Sequence, residues 1–477
     1  MPFKPRKDHL DLGPHFYHGA TPVDFGDLKL RYFNARAAQS VGLEHLSQDE
    51  IERRFGRFEP FDGSLPQPLA LSYHGHQFGV YNPEIGDGRG FLYAQCQEIF
   101  NPSHDPQDGP QMRKAKQGRL VDFGTKGSGT TLYSRSGDGR LTLKGAIREL
   151  LATSMLAAQG VSTSRTFTIF EDLDARLYRS DEPSPARGAI LTRLSHAHIR
   201  FGTFQRLAYK QQPVEIERLV RYCLRRYFHV DETQMDANAA VCAFYAEVIR
   251  RTALTAAAWM MAGFVHGVLN TDNMNITGES FDYGPWRWVP TYDGAFTAAY
   301  FDTSGRYAYG RQPQAVAWNL SALGQALAAI HHDTAPLSEL LQGYSAQLQD
   351  YTIDQFFWRM RLTPSGNRQV DVDLVEACLK QLKAEQSPFE DLFHASSTGR
   401  LDRLSQPLQD LLAGWPGDPI NHDPETMLVE EVEKIWAAID AQDDWGPLNE
   451  KLRRLEHLYD LRQAWKAPAI YRMERPI

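Results

Sequence analysis

Cysteine is scarce in this sequence, and what there is lies scattered. Its 477 residues include 4 cysteines, Cys96, Cys223, Cys242 and Cys378, with no Cys-x-x-Cys pair among them. That excludes a disulfide scaffold and a structural zinc ribbon, and it suits a reducing compartment. Long apolar runs are also missing. The longest, around Ala253–Val265, contains Thr255 and is too short to span a bilayer. Behind the charges of Met-Pro-Phe-Lys-Pro-Arg-Lys-Asp no apolar stretch follows, so the start reads as neither a secretory signal nor a transit peptide. A cytoplasmic protein without membrane contact is the expectation, and a monomer. There is no basic surplus either: Lys+Arg 51 against Asp+Glu 59 leaves −8, which argues against a nucleic-acid partner. No repeat or low-complexity tract occurs. A Walker loop is absent, since no Gly-Lys-Ser/Thr follows a four-residue spacer. Gly127-Ser128-Gly129 lacks the spacing of a hydrolase elbow.

What is present is an ordinary globular composition, 42% hydrophobic and 23% charged. The length is too great for one compact core, so two to four lobes are expected. Charge is uneven along the chain: residues 1–210 carry 27 basic and 23 acidic side chains, while 211–379 and 380–477 each carry 12 and 18. The front is therefore mildly basic and the rest acidic.

Residues 1–60 read as a mixed, loop-rich lead-in with a short helix near Gln48–Phe55. From about 68 to 200, short β-like runs alternate with glycines: Leu69–Tyr73, Phe91–Gln95, Leu120–Phe123, Thr166–Phe170 and Ala189–Leu194. One amphipathic helix interrupts them, with a stripe at Leu143, Ile147, Leu150 and Leu151 and a stop at Gly160. Beyond about 214 the text turns helical. Val241–Gly263 is apolar nearly all round, the pattern of a buried helix, and it runs into the polar stretch His266–Asn275. Amphipathic helices follow in 315–385 and 422–465. The expected divisions are a lead-in over 1–65, a sheet-rich nucleotide-binding lobe over 66–210, a helical catalytic lobe over 211–345 and a helical extension over 346–477. A sheet lobe followed by a helical lobe clamps a ligand at the seam.

Two glycine-rich loops stand out. Gly86-Asp-Gly88-Arg89-Gly90 lies between strands; Lys126-Gly-Ser-Gly129 leads to Ser136-Gly-Asp138-Gly139-Arg140. Either they are hairpin turns, or their backbone N–H groups cradle an anion with Lys or Arg as countercharge. His74-x-His76 and His196-x-His198 could each present two imidazoles, but without a third ligand they read as ordinary hydrogen-bonded histidines. Glu149 shares a helix face with the small residues Gly145 and Ala152, so its carboxylate could reach Lys126 on the preceding strand. A lysine pinned by a helix carboxylate and aimed at phosphates is the kinase arrangement; two solvated charges is the other reading.

The polar stretch adds weight. Asn273 falls seven residues after His266, and Asp282-Tyr-Gly284 comes nine after Asn273, close to the catalytic-loop and Asp-Phe-Gly spacing of kinases. Asn and Asp oxygens at that separation suit Mg²⁺ bridging phosphates. The position of the usual catalytic Asp, two after His266, is Val268, which cannot accept a proton. Asp272 is the one carboxylate in this loop that could replace it.

His74-Gly-His-Gln-Phe-Gly, Gly86-Asp-Gly-Arg-Gly, Lys126-Gly-Ser-Gly, Tyr133-Ser-Arg-Ser-Gly-Asp-Gly-Arg140, His266-Gly-Val-Leu-Asn-Thr-Asp-Asn-Met274 and Asp282-Tyr-Gly-Pro285 together resemble the selenoprotein O family. The resemblance runs from about residue 65 to 320. It implies an α+β, bilobal protein-kinase-like fold with a helical C-terminal extension. It also implies AMP transfer from an inverted ATP to Ser, Thr or Tyr hydroxyls of proteins, with Mg²⁺ or Mn²⁺. By motif, Asp272 would accept the proton, and Asn273 and Asp282 would hold the metal. Lys126, Asp138, Gly139, Arg193 and Arg200 would line the phosphate pocket, Gly86, Gly88 and Arg89 would meet the nucleotide, and Glu149 would pair with Lys126. Many members carry selenocysteine or a redox cysteine near the C-terminus, whereas the last cysteine here is Cys378. Two other activities fit the same residues: a phosphotransferase using Asp272 as base, and an inactive nucleotide-binding scaffold.

Overall fold

The computed structural model describes residues 2–99, 118–179, 182–330 and 333–464. The architecture is α+β. Among the described residues, nine strands form one antiparallel sheet: β1 (Pro5–Arg6), β2 (Tyr17–Gly19), β3 (Leu28–Phe33), β4 (Leu69–Leu71), β7 (Leu92–Gln97), β8 (Leu120–Lys126), β9 (Leu141–Thr142), β10 (Arg165–Leu177) and β11 (Ala186–Ser195). The order is β2-β4-β7-β8-β11-β10-β3, with β1 on β7 and β9 on β11. Two small two-stranded sheets stand apart, β5 (Gly75–Gln77) with β6 (Val80–Asn82) as a hairpin, and β12 (Phe264–Val265) with β13 (Arg287–Trp288).

Each of the five expected runs contains a strand: the first is shorter than expected, ending at Leu71, and the second is shifted to Leu92–Gln97, while the last three run longer. The lead-in is not loop-rich: β1, β2 and β3 lie within residues 1–60 and join the large sheet. Pro5 pairs with Cys96 and Tyr17 with Leu71, so two- and three-residue strands gain their partners from far along the chain. The expected helix at Gln48–Phe55 starts as an α-turn, Gln48–Ile51, with Ser47 and Glu50 forming a capping box. It then widens into a π-turn over Glu52–Gly56.

The helices are α1 (Ala35–Val41), α2 (Gln48–Ile51), α3 (Leu143–Ala158), α4 (Phe201–Tyr209), α5 (Pro213–Arg226), α6 (Ala237–Ala262) and α7 (Gln312–Leu327). Seven more follow among the described residues: α8 (Ala335–Gln342), α9 (Tyr344–Met360), α10 (Arg368–Glu385), α11 (Phe389–Ser397), α12 (Gln406–Leu412), α13 (Val429–Gln442) and α14 (Gly446–Gln463). Thr142 caps α3 by accepting from the Gly145 N–H. Asp236 does the same for α6, which ends at Gly263 in the left-handed conformation. As the sequence leads one to expect, α6 is buried on nearly every side beyond Thr252.

One apolar core joins the inner face of the sheet and α3 to α4–α7 and the last two helices. A second, aromatic core of Phe55, Phe91, Phe123 and Phe167 lies under α1 and α2. Lys144 pairs with Glu433 at 2.8 Å, and Arg462 donates to the Ala158 carbonyl at 2.8 Å, so α13 and α14 are tied to both ends of α3. No described helix is long and apolar enough to cross a membrane.

Candidate active site

A cavity of about 690 Å³ opens where the end of β8 meets the loop after α6. Strand register places its charges. In the β8–β11 ladder Lys126 faces Leu191, Gly124 faces Arg193 and Asp122 faces Ser195. Residues two apart on a strand share a face, and so do paired residues, so Lys126, Arg193 and Asp122 all project to one side.

At the deep end, Lys126, Arg193 and Arg200 are buried at 5%, 4% and 2% exposure. Buried cations persist only when paired, and these are. Lys126 Nζ lies 2.6 Å from Glu149 Oε2 and 3.2 Å from Asp282 Oδ1. Arg193 reaches Asp282 at 3.3 Å and Glu149 at 3.5 Å. Arg200 meets Asp282 at 2.9 Å and Asp87 at 3.3 Å, and donates to the Asp272 backbone carbonyl at 2.7 Å. Its guanidinium carbon lies over the rings of Tyr73 and Phe281, 4.5 and 4.7 Å from the ring centres. Three cations thus converge on three carboxylates, with Asp282 at the centre. Burial alone would raise the Asp282 carboxyl, but Lys126, Arg193 and Arg200 outweigh it and hold it well below the usual carboxylate range.

The two glycine loops wall the cavity and grip one another. Gly127 N–H donates to the Arg89 carbonyl at 2.7 Å, and Ser134 donates to the Gly88 carbonyl. Gly86 and Gly88 line the wall beside them. Gly139 sits at φ +68°, and a Cβ there would come within 2.2 Å of the Gly129 backbone. Asp138 lines the cavity mouth, exposed, with its carboxylate taken by Arg179 at 2.9 Å.

On the other side, the loop after α6 carries Asp272 in a short 3₁₀ turn, Thr271–Asn273. Asp272 is 8% exposed; Oδ2 meets Gln77 Nε2 at 3.5 Å, and buried Oδ1 has no hydrogen-bond partner. Burial pushes its carboxyl up to about 6, with Arg200 opposing. An unpartnered oxygen with that proton affinity suits general-base work near neutral pH. Asn273 donates through Nδ2 to the Val268 carbonyl at 2.9 Å, which commits the amide nitrogen and leaves Oδ1 as its free acceptor. The β5–β6 hairpin clamps this loop. His76 N–H donates to Thr271 Oγ1 at 2.7 Å, and Thr271 donates to Gln205 at 2.6 Å. His74 bonds Tyr81 at 2.8 Å, so both histidines of this hairpin are hydrogen-bonded.

With this geometry in place, comparison with known proteins is informative. The family model described as "Protein adenylyltransferase SelO" matches residues 3–413. The chain belongs to the SelO family. Its relatives include proteins named "Protein nucleotidyltransferase YdiU" from several bacteria. That of Synechocystis sp. is 38% identical, covering 93% of this chain and 96% of its own. That of Gloeobacter violaceus is 38% identical over 94% of each. That of Trichormus variabilis is 41% identical over 93% and 94%.

In this SelO-family chain every expected site residue except Glu149 borders the one cavity, and Glu149 stands just behind it on Lys126. No group of three or more His, Cys, Asp or Glu side chains among the described residues could hold a metal by itself. The structure adds residues that the motifs contained without a site role, and one, Arg179, that lies outside them. Arg135, Arg140 and Arg179 also line the cavity; Arg140 is paired with Asp172. More telling is His198. Its Nδ1 contacts buried Asp122 at 3.2 Å, its Nε2 faces Arg193 Nε at 3.4 Å, and a Cβ on Gly124 would strike it at 2.0 Å. Asp122, His198 and Arg193 form a chain that fixes the guanidinium from behind, much as a carboxylate orients a ligating histidine. The signal was available in His196-x-His198 beside a strand aspartate, but only the register shows which histidine turns inward.

Proposed function

We propose that this chain transfers AMP from ATP to Ser, Thr or Tyr hydroxyls of other proteins, with the nucleotide inverted so that its outer phosphates lie deepest. The distribution of charge along the cavity carries this reading. Lys126, Arg193 and Arg200 make the deep end wholly ionic, a place for a polyphosphate tail and a poor one for a purine. A tail seated there puts the α-phosphorus outward, on the Asp272 side. The strand lysine with its helix glutamate, and the Asn273/Asp282 pair beyond a buried helix, are the parts of a bilobal kinase-like fold, with the site between 66–210 and 211–345. Of the expected divisions, 1–65 is better joined to the sheet lobe, since β1–β3 belong to its sheet.

The chemistry follows from the residues. The Asp272 carboxylate takes the proton of the acceptor hydroxyl, whose oxygen attacks the α-phosphorus. The bond from that phosphorus to the β-bridging oxygen breaks, and pyrophosphate leaves with its charge against Lys126, Arg193 and Arg200. Arg200 also fixes the Asp272 backbone, so the base and the leaving-group cation move as one piece. Hard oxygens are what Mg²⁺ selects, and the ionised Asp282 carboxylate and Asn273 Oδ1 fit it; they would hold Mg²⁺ or Mn²⁺, which supplies neutralisation of phosphate charge.

Incubating the protein with α-labelled and, separately, γ-labelled ATP tests the proposal. Label from the α-phosphate on acceptor proteins is expected. Label from the γ-phosphate alone would make the chain a phosphotransferase, and label from neither would leave a nucleotide-binding scaffold.

A further inference from the structure

The hairpin that clamps the Asp272 loop bears an aromatic ridge on its outer side. Phe78, at the hairpin tip, packs on Tyr307 and Phe301 with ring centres 5.0 and 5.7 Å away, and Tyr300 extends the row at 5.2 Å from Phe301. His76 meets Trp318 edge-on at 5.1 Å. Solvent-facing rings in such a row are unusual unless something covers them, yet Tyr300, Phe301 and Trp318 are 85%, 47% and 39% exposed. In the middle lies Arg306, its guanidinium 5.2 Å from the Trp318 ring, with no carboxylate in ion-pair distance among the described residues. An aromatic row around an unpaired arginine is the composition of a recognition surface.

Its position supplies the occupant. Asn270 Oδ1 accepts from the Phe78 N–H at 3.0 Å and from the Tyr307 hydroxyl at 2.9 Å, so the ridge is anchored two residues from Asp272. Gln77, beside Phe78, touches Asp272 itself. The ridge therefore lies beside the residue to which the acceptor hydroxyl is delivered. We infer that the ridge docks the protein substrate, taking a segment with a large aromatic or aliphatic side chain and an acidic residue next to the hydroxyl that is modified. The apolar side chain would lie on Phe301 and Trp318, and the carboxylate would meet Arg306. This rests on the AMP-transfer reading above and specifies its acceptor.

Two synthetic peptides test it, each with one central Tyr: one flanked by Asp and Phe, the other with Lys in place of Asp. Transfer from α-labelled ATP is measured as kcat and KM, with ATP affinity measured for every variant. The native chain should prefer the Asp peptide by about tenfold, and Arg306→Glu should reverse the preference. Phe301→Ala with Trp318→Ala should raise KM for the Asp peptide about tenfold at unchanged kcat and ATP affinity. Equal use of the two peptides, or a preference that Arg306→Glu leaves in place, would overturn the inference alone. So would labelling of proteins in an extract but of neither peptide. A change in oligomeric mass on ridge substitution without a change in KM would assign the ridge to a second copy of the chain instead. Absence of α-label from every acceptor would overturn the transferase reading and this inference with it.

Discussion

The loop at Asp272 and the loop at Asp282 border the same cavity, yet they treat their carboxylates in opposite ways. Asp282 is ringed by Lys126, Arg193 and Arg200 and stays ionised well below the usual range. Asp272 is buried, receives Arg200 only through its backbone carbonyl, and has its carboxyl raised to about 6. One carboxylate is built to remain charged and the other to exchange a proton. Where environments push two carboxyl groups apart in this way, acid–base roles can be assigned from structure. The division also explains how the chain manages with Val268 where kinases place their base. On the proposed reading the proton acceptor lies four residues further along the loop, where burial outweighs the one cation beside it, Arg200.

Substitutions can break or sharpen this contrast. The largest effect is expected at Asp282→Asn: AMP transfer should fall by about 10³-fold or more, because three cations lose their shared counter-charge and the proposed metal site loses a ligand. The thermal midpoint should fall with it. Asp272→Asn should lower transfer by about 10²–10⁴-fold and yet raise stability at pH 7.5. The sign follows from linkage: a carboxyl whose folded value lies above its unfolded one costs stability as pH rises between about 4 and 6, and the full cost persists above that. Removing it should return up to roughly 3 kcal/mol, read by denaturant melts of both proteins. Activity of the native chain should decline on acidification through about pH 6 as Asp272 takes up its proton. If the two amide variants shift stability in the same direction, the contrast fails.

Smaller effects are expected away from the two carboxylates. His198→Ala should weaken ATP binding by about tenfold, the worth of one charged hydrogen bond, with kcat nearly unchanged; isothermal titration reads it directly. Arg89→Ala and Arg135→Ala, at the exposed mouth, should cost less than about fivefold. That loss should vanish in high salt, since solvent-exposed charges are screened.

Much of this site could be read from the sequence because its parts are local. Asn273 and Asp282 follow His266 at fixed distances in the segment after α6, and Glu149 lies on α3, the first helix after the strand that carries Lys126. The mildly basic first 210 residues likewise trace to Arg89, Lys126, Arg193 and Arg200. What escaped depends on contacts between distant segments. The pairing of Pro5 with Cys96 leaves no periodic mark in a two-residue strand. Arg179 looks like any surface arginine until Asp138 is found beside it. The inward turn of His198 is set by the space over Gly124, on a different strand. Nor does the amphipathic pattern of α13 and α14 say that α3 is the helix they cover.

That last packing has a consequence in time. Helix α3, which carries Glu149, leaves the ribosome long before α14, and Arg462 and Leu455 cannot cover it until residues 446–463 are made. At translation rates of about 5–20 residues per second the outer face of α3 stays bare for tens of seconds. Until then α3, with Glu149 on it, lacks the cover that α14 gives.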